Sequence, residues 1–111
     1  MASEQVNLVA LIYPQPDKLE ELSGLIAELT RKVQETEPDT LIYYAYVNEA
    51  KKDEKEIIVV ERYRNGAALQ VHAQGPHFKA FVAKAAPLMA KPFELKKADG
   101  ILPASVGVAR L

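Results

Sequence analysis

The stretch "IIVVERYRNGAALQVHAQGPHF", residues 57–78, decides the fold of this 111-residue chain. It begins with residues 57–63, whose alternating side chains predict a β-strand. The Asn65-Gly66 pair that follows is typical of a hairpin turn, which would predict a second strand. The next residues are Ala-Ala-Leu, which are poor strand formers, so we interpret Asn65 as a helix cap instead. The chain is therefore predicted to pass from strand to helix here.

The predicted helix is interrupted once and then continues. We expect a first piece over residues 66–73, after which Gly75 and Pro76 restart the helix, because proline fits the first helical position. Pro87 should end the second piece near Ala86, since proline cannot donate a backbone hydrogen bond inside a helix. Both histidines of the chain fall on these two pieces.

The remaining segments complete a β-α-β-β-α-β order. Asp17, as the N-cap, and Glu20 are predicted to open an amphipathic helix after the first strand. The charged segment 49–56 is predicted to be a solvated hairpin loop. The predicted strands cover residues 5–13, 40–48, 57–63 and 93–97. This order is typical of a ferredoxin-like α+β fold with an antiparallel sheet.

The first strand is apolar on both faces, but the helices of such a fold cover only one face of the sheet. An exposed apolar face of that size is uncommon on a monomer. We therefore predict a homodimer formed sheet against sheet. The chain is interpreted as a single domain, residues 1–111, with a core over residues 5–98 and a tail over residues 99–111.

Composition excludes several classes of function. Fourteen basic and fifteen acidic residues give a net charge of −1, and no basic stripe predicts a nucleic-acid partner. Cysteine is absent, which excludes disulfides, thiolate catalysis and thiolate metal sites. No apolar run approaches the roughly 20 residues of a membrane span, and the first residues do not have the pattern of a signal peptide. We expect a cytoplasmic protein without a membrane partner.

A family pattern is found in the same region of the chain. Glu61 and Tyr63 end a strand as Glu-x-aromatic, His72 follows on the helix, and residues 76–78 are Pro-His-Phe. This pattern resembles the antibiotic biosynthesis monooxygenase family of dimeric α+β barrels, and the order of elements fits that family over residues 5–98. Members include oxygenases, haem-degrading enzymes and an isomerase.

The resemblance implies a chemistry without a metal or organic cofactor. In the oxygenase branch an ionised substrate reduces O₂ directly inside a dry cavity between sheet and helices. The implied partners are O₂ and a small apolar ionisable metabolite, such as a quinol, a polyketide phenol or an oxylipin-like acid. Haem is not expected, because the axial histidine of the haem-degrading branch falls on Val82, which cannot ligate iron.

His72 and His77 are the predicted catalytic residues, as proton acceptors. The alternative for His72 is a core histidine bonded to backbone. His77 lies in the first turn of a helix, where the helix dipole disfavours a positive charge by about 0.3–1 kcal/mol. Its alternative is a structural role at the helix junction.

A further set of residues is predicted to bind the substrate. Asn7 resembles an Asn that enters the cavity in some relatives, although it could instead be satisfied by backbone. Glu61 is expected either to pair with Lys or Arg or to be a cavity group with a raised pKa. Tyr44 or Tyr46 is expected to place a hydroxyl in the cavity. The predicted substrate-binding residues are Asn7, Tyr44, Glu61, Tyr63, Phe78, Phe81, Val82 and Met89.

Other hypotheses stay open on the sequence alone. The same fold could support an isomerase or lyase that uses the same His as acid and base, or a module that binds a ligand without turnover. A metal site from His72, His77 and Glu61 is disfavoured by the spacing of the two histidines. The last residues, 109–111, resemble a peroxisomal import tripeptide, which makes the peroxisome an alternative location.

Overall fold

The apolar strands pair into one antiparallel sheet in the structure, a computed structural model that describes residues 4–51 and 53–100. The strands are β1 (Val6–Ile12), β2 (Thr40–Lys51), β3 (Glu54–Tyr63) and β4 (Glu94–Lys97). The helices are α1 (Leu19–Thr36), α2 (Gly66–Gln74) and α3 (Pro76–Ala85), and a 3₁₀ turn (Ala86–Leu88) follows. The strand order is β2-β3-β1-β4. This confirms the ferredoxin-like α+β fold.

Helix α1 begins one residue later than the sequence predicts. The predicted N-cap, Asp17, lies in a turn in which the backbone N–H of Lys18 donates to the carbonyl oxygen of Gln15 at 3.0 Å. Lys18 is the N-cap, and its side chain makes no capping hydrogen bond. The predicted amphipathic pattern is confirmed by an apolar stripe along α1, in which Leu19 and Leu25 are partly buried and the other members are buried: Leu22, Ile26, Leu29 and Val33.

The hairpin between β2 and β3 is longer than predicted. The segment 49–56 was expected to be a loop, but both strands extend into it and leave a tight turn with Asp53 at a φ of 63°. Polar side chains pair across the two strands: Asn48 donates to Glu56 at 2.9 Å, and Lys55 lies 3.5 Å from Glu49. These cross-strand pairs favour continued strand pairing in a charged sequence.

The strand-to-helix change after β3 is confirmed. The side-chain oxygen of Asn65 accepts from the backbone N–H of Ala68 at 2.9 Å, which caps α2. Gly75 is extended (φ −74°, ψ 157°) and separates α2 from α3, which starts with Pro76. Helix α3 ends at Ala85, as the proline two residues later predicts.

The core lies between the helices and one face of the sheet. We call this the inner face, and its central side chains are buried: Leu8, Ala10, Ile12, Ile57, Val59, Glu61 and Tyr63. The alternating residues form the outer face: Asn7, Val9, Leu11, Ile42, Tyr44, Tyr46, Ile58, Val60 and Arg62. The aliphatic side chains of the outer face are only half-buried, and Tyr44 is 53% exposed. The two faces are therefore covered to different extents.

Candidate active site

A cavity of about 150 Å³ lies between the inner face and the helices. Its apolar lining consists of Leu8, Ala10, Ile12, Ile26, Leu29, Val59, Leu69, Ala73, Phe78, Phe81, Phe93 and Leu95. Among the described residues, the lining side chains that carry polar atoms are Tyr43, Glu61 and His72. Leu95 is 60% exposed, so the cavity reaches the surface beside β4. An apolar cavity of this volume can hold a single benzene ring.

His72 is held in place by a carboxylate. Its side chain projects from α2, is buried, and places Nδ1 3.0 Å from Oε1 and 3.3 Å from Oε2 of Glu37. A carboxylate can only accept a hydrogen bond, so Nδ1 carries the hydrogen and donates it. Nε2 is then the acceptor nitrogen of a side chain that lines the cavity. The partner of His72 is thus a carboxylate and not the backbone.

The protonation state of His72 follows from two opposed effects. Burial lowers the pKa of the imidazole, because a buried cation loses its hydration. The negative charge of Glu37 and its hydrogen bond raise the pKa, but burial has the larger effect. His72 is therefore neutral near pH 7 and available as a proton acceptor.

Aromatic rings surround the imidazole of His72. The ring centroids of Tyr43, Tyr63 and Phe78 lie 5.2, 5.6 and 5.0 Å from its centroid. These contacts restrict the rotation of the imidazole. Burial raises the pKa of both tyrosines, and the nearby charge of Glu61 raises it further. Both phenols therefore stay protonated and remain hydrogen-bond donors at neutral pH.

Glu61 is the second titratable group of the cavity. The Tyr63 hydroxyl donates to Oε1 of Glu61 at 2.6 Å. Burial raises the pKa of Glu61 to about 7, the hydrogen bond from Tyr63 lowers it, and the charge of Glu37 adds to the rise. Glu61 thus has a tyrosine partner and not the Lys or Arg of the ion-pair alternative, and the direction of its pKa shift is that of the cavity-group alternative. The raised pKa allows Glu61 to carry a proton near neutral pH.

Two of the predicted substrate-binding residues lie on the opposite side of the sheet. Asn7 is on the outer face, where its side-chain oxygen accepts from Nε of Arg62 at 2.6 Å. Tyr44 is on the same face, as is Tyr46, whose hydroxyl was the alternative. Because side chains alternate along a strand, none of these residues reaches the cavity. The expectation that they line it is corrected, and Tyr43 takes that position on β2.

The remaining predicted residues divide between the cavity and the core. Phe78 and Phe81 line the cavity, as Glu61 and His72 do. Val82 and Met89 are half-buried and pack against the apolar core outside the cavity lining. His77 lies in a surface groove between α1 and α3, beside Glu28, Lys32 and Lys84. The structure thus brings His72, Glu61 and Tyr63 together and separates His77 from them.

Glu37 is not among the site residues predicted from the sequence. This residue precedes Pro38 in the connection to β2, 35 positions before His72. One sequence signal could have identified Glu37. It is a carboxylate at the end of the first helix, and the ferredoxin-like order brings this end beside the second helical region. Tyr43 was not among the predicted site residues either, although it is the residue of β2 that pairs with Glu61 of β3.

Other features of the surface lack this combination of groups. A larger groove of about 560 Å³ lies near the hairpin turn and is lined by exposed charged residues, including Glu49 and Lys55.

Within residues 4–51 and 53–100, no group of three or more His, Asp or Glu side chains is placed to hold a metal ion. No helix in these ranges is long and apolar enough to cross a membrane. The import tripeptide, 109–111, lies outside the described residues.

Comparisons with known proteins match both the sequence and the fold. The model of the antibiotic biosynthesis monooxygenase family matches residues 6–84. An uncharacterized protein of Synechocystis sp. is 34% identical over 95 residues, which are 86% of this chain and 63% of that protein. The chain therefore spans less than two thirds of this relative.

Two solved structures are similar to this chain in fold. A Caulobacter crescentus protein, provisionally described as an antibiotic biosynthesis monooxygenase, has a TM-score of 0.80 at 27% identity. The match covers 91% of this chain and 93% of that one. Rv0793 from Mycobacterium tuberculosis has a TM-score of 0.78 at 25% identity, over 92% of this chain and 100% of that one. The chain belongs to the antibiotic biosynthesis monooxygenase family.

Proposed function

We propose that this protein is a monooxygenase that uses no metal or organic cofactor and oxidises a single-ring phenol or a similarly small enol. The observation that supports the proposal is the placement of His72. Its imidazole lines an apolar cavity on one side and donates to Glu37 on the other. A neutral histidine oriented by a carboxylate is a common arrangement for a general base.

The reaction begins with the transfer of the phenol proton to Nε2 of His72. A ring carbon of the phenolate then gives an electron pair to O₂ and bonds to one of its oxygen atoms, which forms a peroxide anion. His72 returns its proton to the outer oxygen of this peroxide, so a hydroperoxide forms and the base is regenerated. The O–O bond and the C–H bond at the same ring carbon then break, the outer oxygen leaves with both hydrogens as water, and the ring becomes a quinone. Phenol and O₂ are thus converted into quinone and water.

Glu61 and Tyr63 are proposed to orient the substrate oxygen. The hydroxyl of Tyr63 occupies Oε1 of Glu61, so a proton on this carboxyl group is carried by Oε2. A protonated Glu61 can donate a hydrogen bond to a substrate oxygen, as neutral carboxylic acids do in other enzymes. The apolar lining keeps bulk water away from the phenolate, which strengthens these hydrogen bonds.

The volume of the cavity narrows the substrate class. About 150 Å³ is well below the roughly 300–1,000 Å³ of sites for drug-sized ligands. A single ring with small substituents matches this volume, whereas a fused polyketide or a long oxylipin-like acid exceeds it. Among the substrates that the family resemblance implies, the cavity volume therefore favours single-ring quinols and simple phenols.

A homodimer is part of the proposal. The outer face combines half-buried aliphatic side chains with Tyr44 and Tyr46, which are 53% and 49% exposed. Burial of this face against a second copy would remove an apolar surface from water without covering the cavity, which opens on the other side of the sheet. Sedimentation at micromolar concentration is expected to give twice the mass of the chain. A species of 12.3 kDa alone would contradict the dimer.

Oxygen dependence tests the proposed reaction. The protein is incubated with a panel of single-ring phenols in ¹⁸O₂, and O₂ consumption and product mass are measured together. We expect one ¹⁸O atom in the quinone and a stoichiometry of one O₂ per product. Product that forms equally well without O₂ would support the isomerase or lyase, and binding without turnover would support the ligand-binding module. Either result would contradict the monooxygenase.

A further inference from the structure

We infer that Glu37 is a positioning residue that holds His72 in the tautomer with hydrogen on Nδ1 and so keeps Nε2 as the proton acceptor. The consequence of this inference for the reaction rests on the proposed function, in which His72 is the base. Its structural part concerns only the two side chains and can be tested without a substrate.

The carboxylate of Glu37 is itself firmly placed. The backbone N–H of Glu37 donates to the carbonyl oxygen of Val33 at 2.9 Å, which continues the hydrogen bonding of α1 by one residue. The Thr40 hydroxyl donates to Oε1 at 3.0 Å, and the Thr40 N–H donates to the Glu37 carbonyl oxygen at 3.1 Å. Oε1 thus accepts from both Thr40 and His72. The carboxylate is fixed by groups on both sides, and its side chain is only 9% exposed.

The groups around the Glu37 carboxylate indicate that His72 is its basic partner. Among residues 4–51 and 53–100, the imidazole is the one basic group within 4.0 Å of the Glu37 carboxylate. Arg64, which directly follows β3, pairs instead with Asp39 at 2.9 Å on the surface. The other titratable groups that face His72 are Glu61, Tyr43 and Tyr63. Neither tyrosine nor Glu61 hydrogen-bonds to its Nδ1.

A change of Glu37 to Leu removes the acceptor that holds hydrogen on Nδ1. The carboxylate accepts from Nδ1–H, whereas Leu has no polar atom, so a hydrogen on Nδ1 would be buried without this partner. We expect the hydrogen to move to Nε2, which removes the proton acceptor from that nitrogen. Leu is similar in size to Glu, so loss of packing does not explain the change.

Ring nitrogen spectroscopy tests this inference directly. The chain has two histidines, so a long-range ¹H–¹⁵N spectrum contains two ring patterns, and His77→Gln assigns them. At a pH where His72 is neutral, we expect hydrogen on Nδ1 in the wild type and on Nε2 in Glu37→Leu. Glu35→Leu, the same chemical change at an exposed site on α1, is the matched control and should keep the wild-type pattern. An unchanged tautomer in Glu37→Leu would overturn the inference.

A chromogenic phenol tests the consequence for proton transfer. 4-Nitrophenol absorbs differently as phenol and phenolate, so its ionisation in the cavity can be titrated without any oxidation. Loss of the acceptor should raise the apparent pKa of the bound phenol in Glu37→Leu and lower its phenolate fraction roughly tenfold. Equal ionisation in the two proteins would overturn the proton-transfer part. Ionisation that depends on Glu37 but is followed by no O₂ consumption with any phenol would retain this inference and reject the monooxygenase.

Discussion

The two histidines show how strongly position decides the chemistry of a side chain. His72 is buried, hydrogen-bonded to Glu37 and in contact with three aromatic rings. His77 follows five residues later and lies half-buried in a groove between charged residues of α1 and α3. The residue type alone gives both the same candidate role as a proton acceptor.

The helix junction explains the difference between the two sites. Five residues on a continuous helix already rotate a side chain by about 140°, which places it on another face. Gly75 then adds an extended residue, and a Cβ at that position would lie 3.0 Å from the carbonyl oxygen of Val71. The close approach favours glycine, and Pro76 starts the next helix in its new direction. Backbone breaks must therefore be located before the histidines of a sequence can be grouped into one site.

The largest expected effect is that of His72→Gln on turnover. Removal of a general base lowers kcat by about 10²–10⁴-fold, and KM should change less because the apolar lining is retained. Steady-state rates with an active phenol measure both quantities. Equal losses in binding and turnover would make His72 a binding residue, and an unchanged kcat would remove the contrast with His77.

Glu61→Gln is expected to have the next largest effect, on stability as a function of pH. The wild-type carboxyl ionises near its ordinary pKa of 4.5 when unfolded and near 7 when folded. Its native state therefore loses roughly 3 kcal/mol relative to the unfolded state as the pH rises between these values. Urea unfolding should show the variant gaining that amount over the wild type between pH 4.5 and 7. A constant difference across this range would mean that Glu61 has no raised pKa.

Asn65→Ala should affect the helix of His72 more modestly. The side-chain oxygen of Asn65 caps the first turn of α2, and loss of such a cap costs about 1 kcal/mol. Thermal unfolding measures the loss, and Asn65→Asp, which retains the cap, is the matched control. Equal destabilisation by both substitutions would show that the cap hydrogen bond is not the cause.

The smallest expected effect is that of His77→Gln. Its groove contains no buried ion pair, and substitutions at surface positions usually change stability by less than about 0.5 kcal/mol. Turnover should also stay within a factor of about two of the wild type, because the residue lies outside the cavity lining. A loss comparable to that of His72→Gln would show that both histidines belong to one site.

The fold was predictable because its signals are local. The Asn65 cap, the Gly75-Pro76 junction and the apolar stripe of α1 each depend on residues within a few positions of one another. The site was less predictable, because the contact between Glu37 and His72 joins residues 35 positions apart.

The placement of Asn7 and Tyr44 could not be derived from local patterns either. Both faces of the strands are apolar, so alternation shows which residues share a face but not which face the helices cover. The structure resolves this by placing Glu61 and Tyr63 inside and their neighbour Arg62 outside.

Two of the aromatic rings around His72 also contribute to the ultraviolet fluorescence of the protein. The chain has no tryptophan, so its ultraviolet fluorescence comes from its five tyrosines. Tyr43 and Tyr63 lie against the imidazole and beside Glu61, while Tyr44 and Tyr46 lie on the outer face. Tyr13 lies outside the cavity, where its hydroxyl donates to Glu94. A Tyr13→Phe, Tyr44→Phe, Tyr46→Phe variant would leave Tyr43 and Tyr63 as its tyrosines. Such a protein would report the arrival of a colourless ligand without any label.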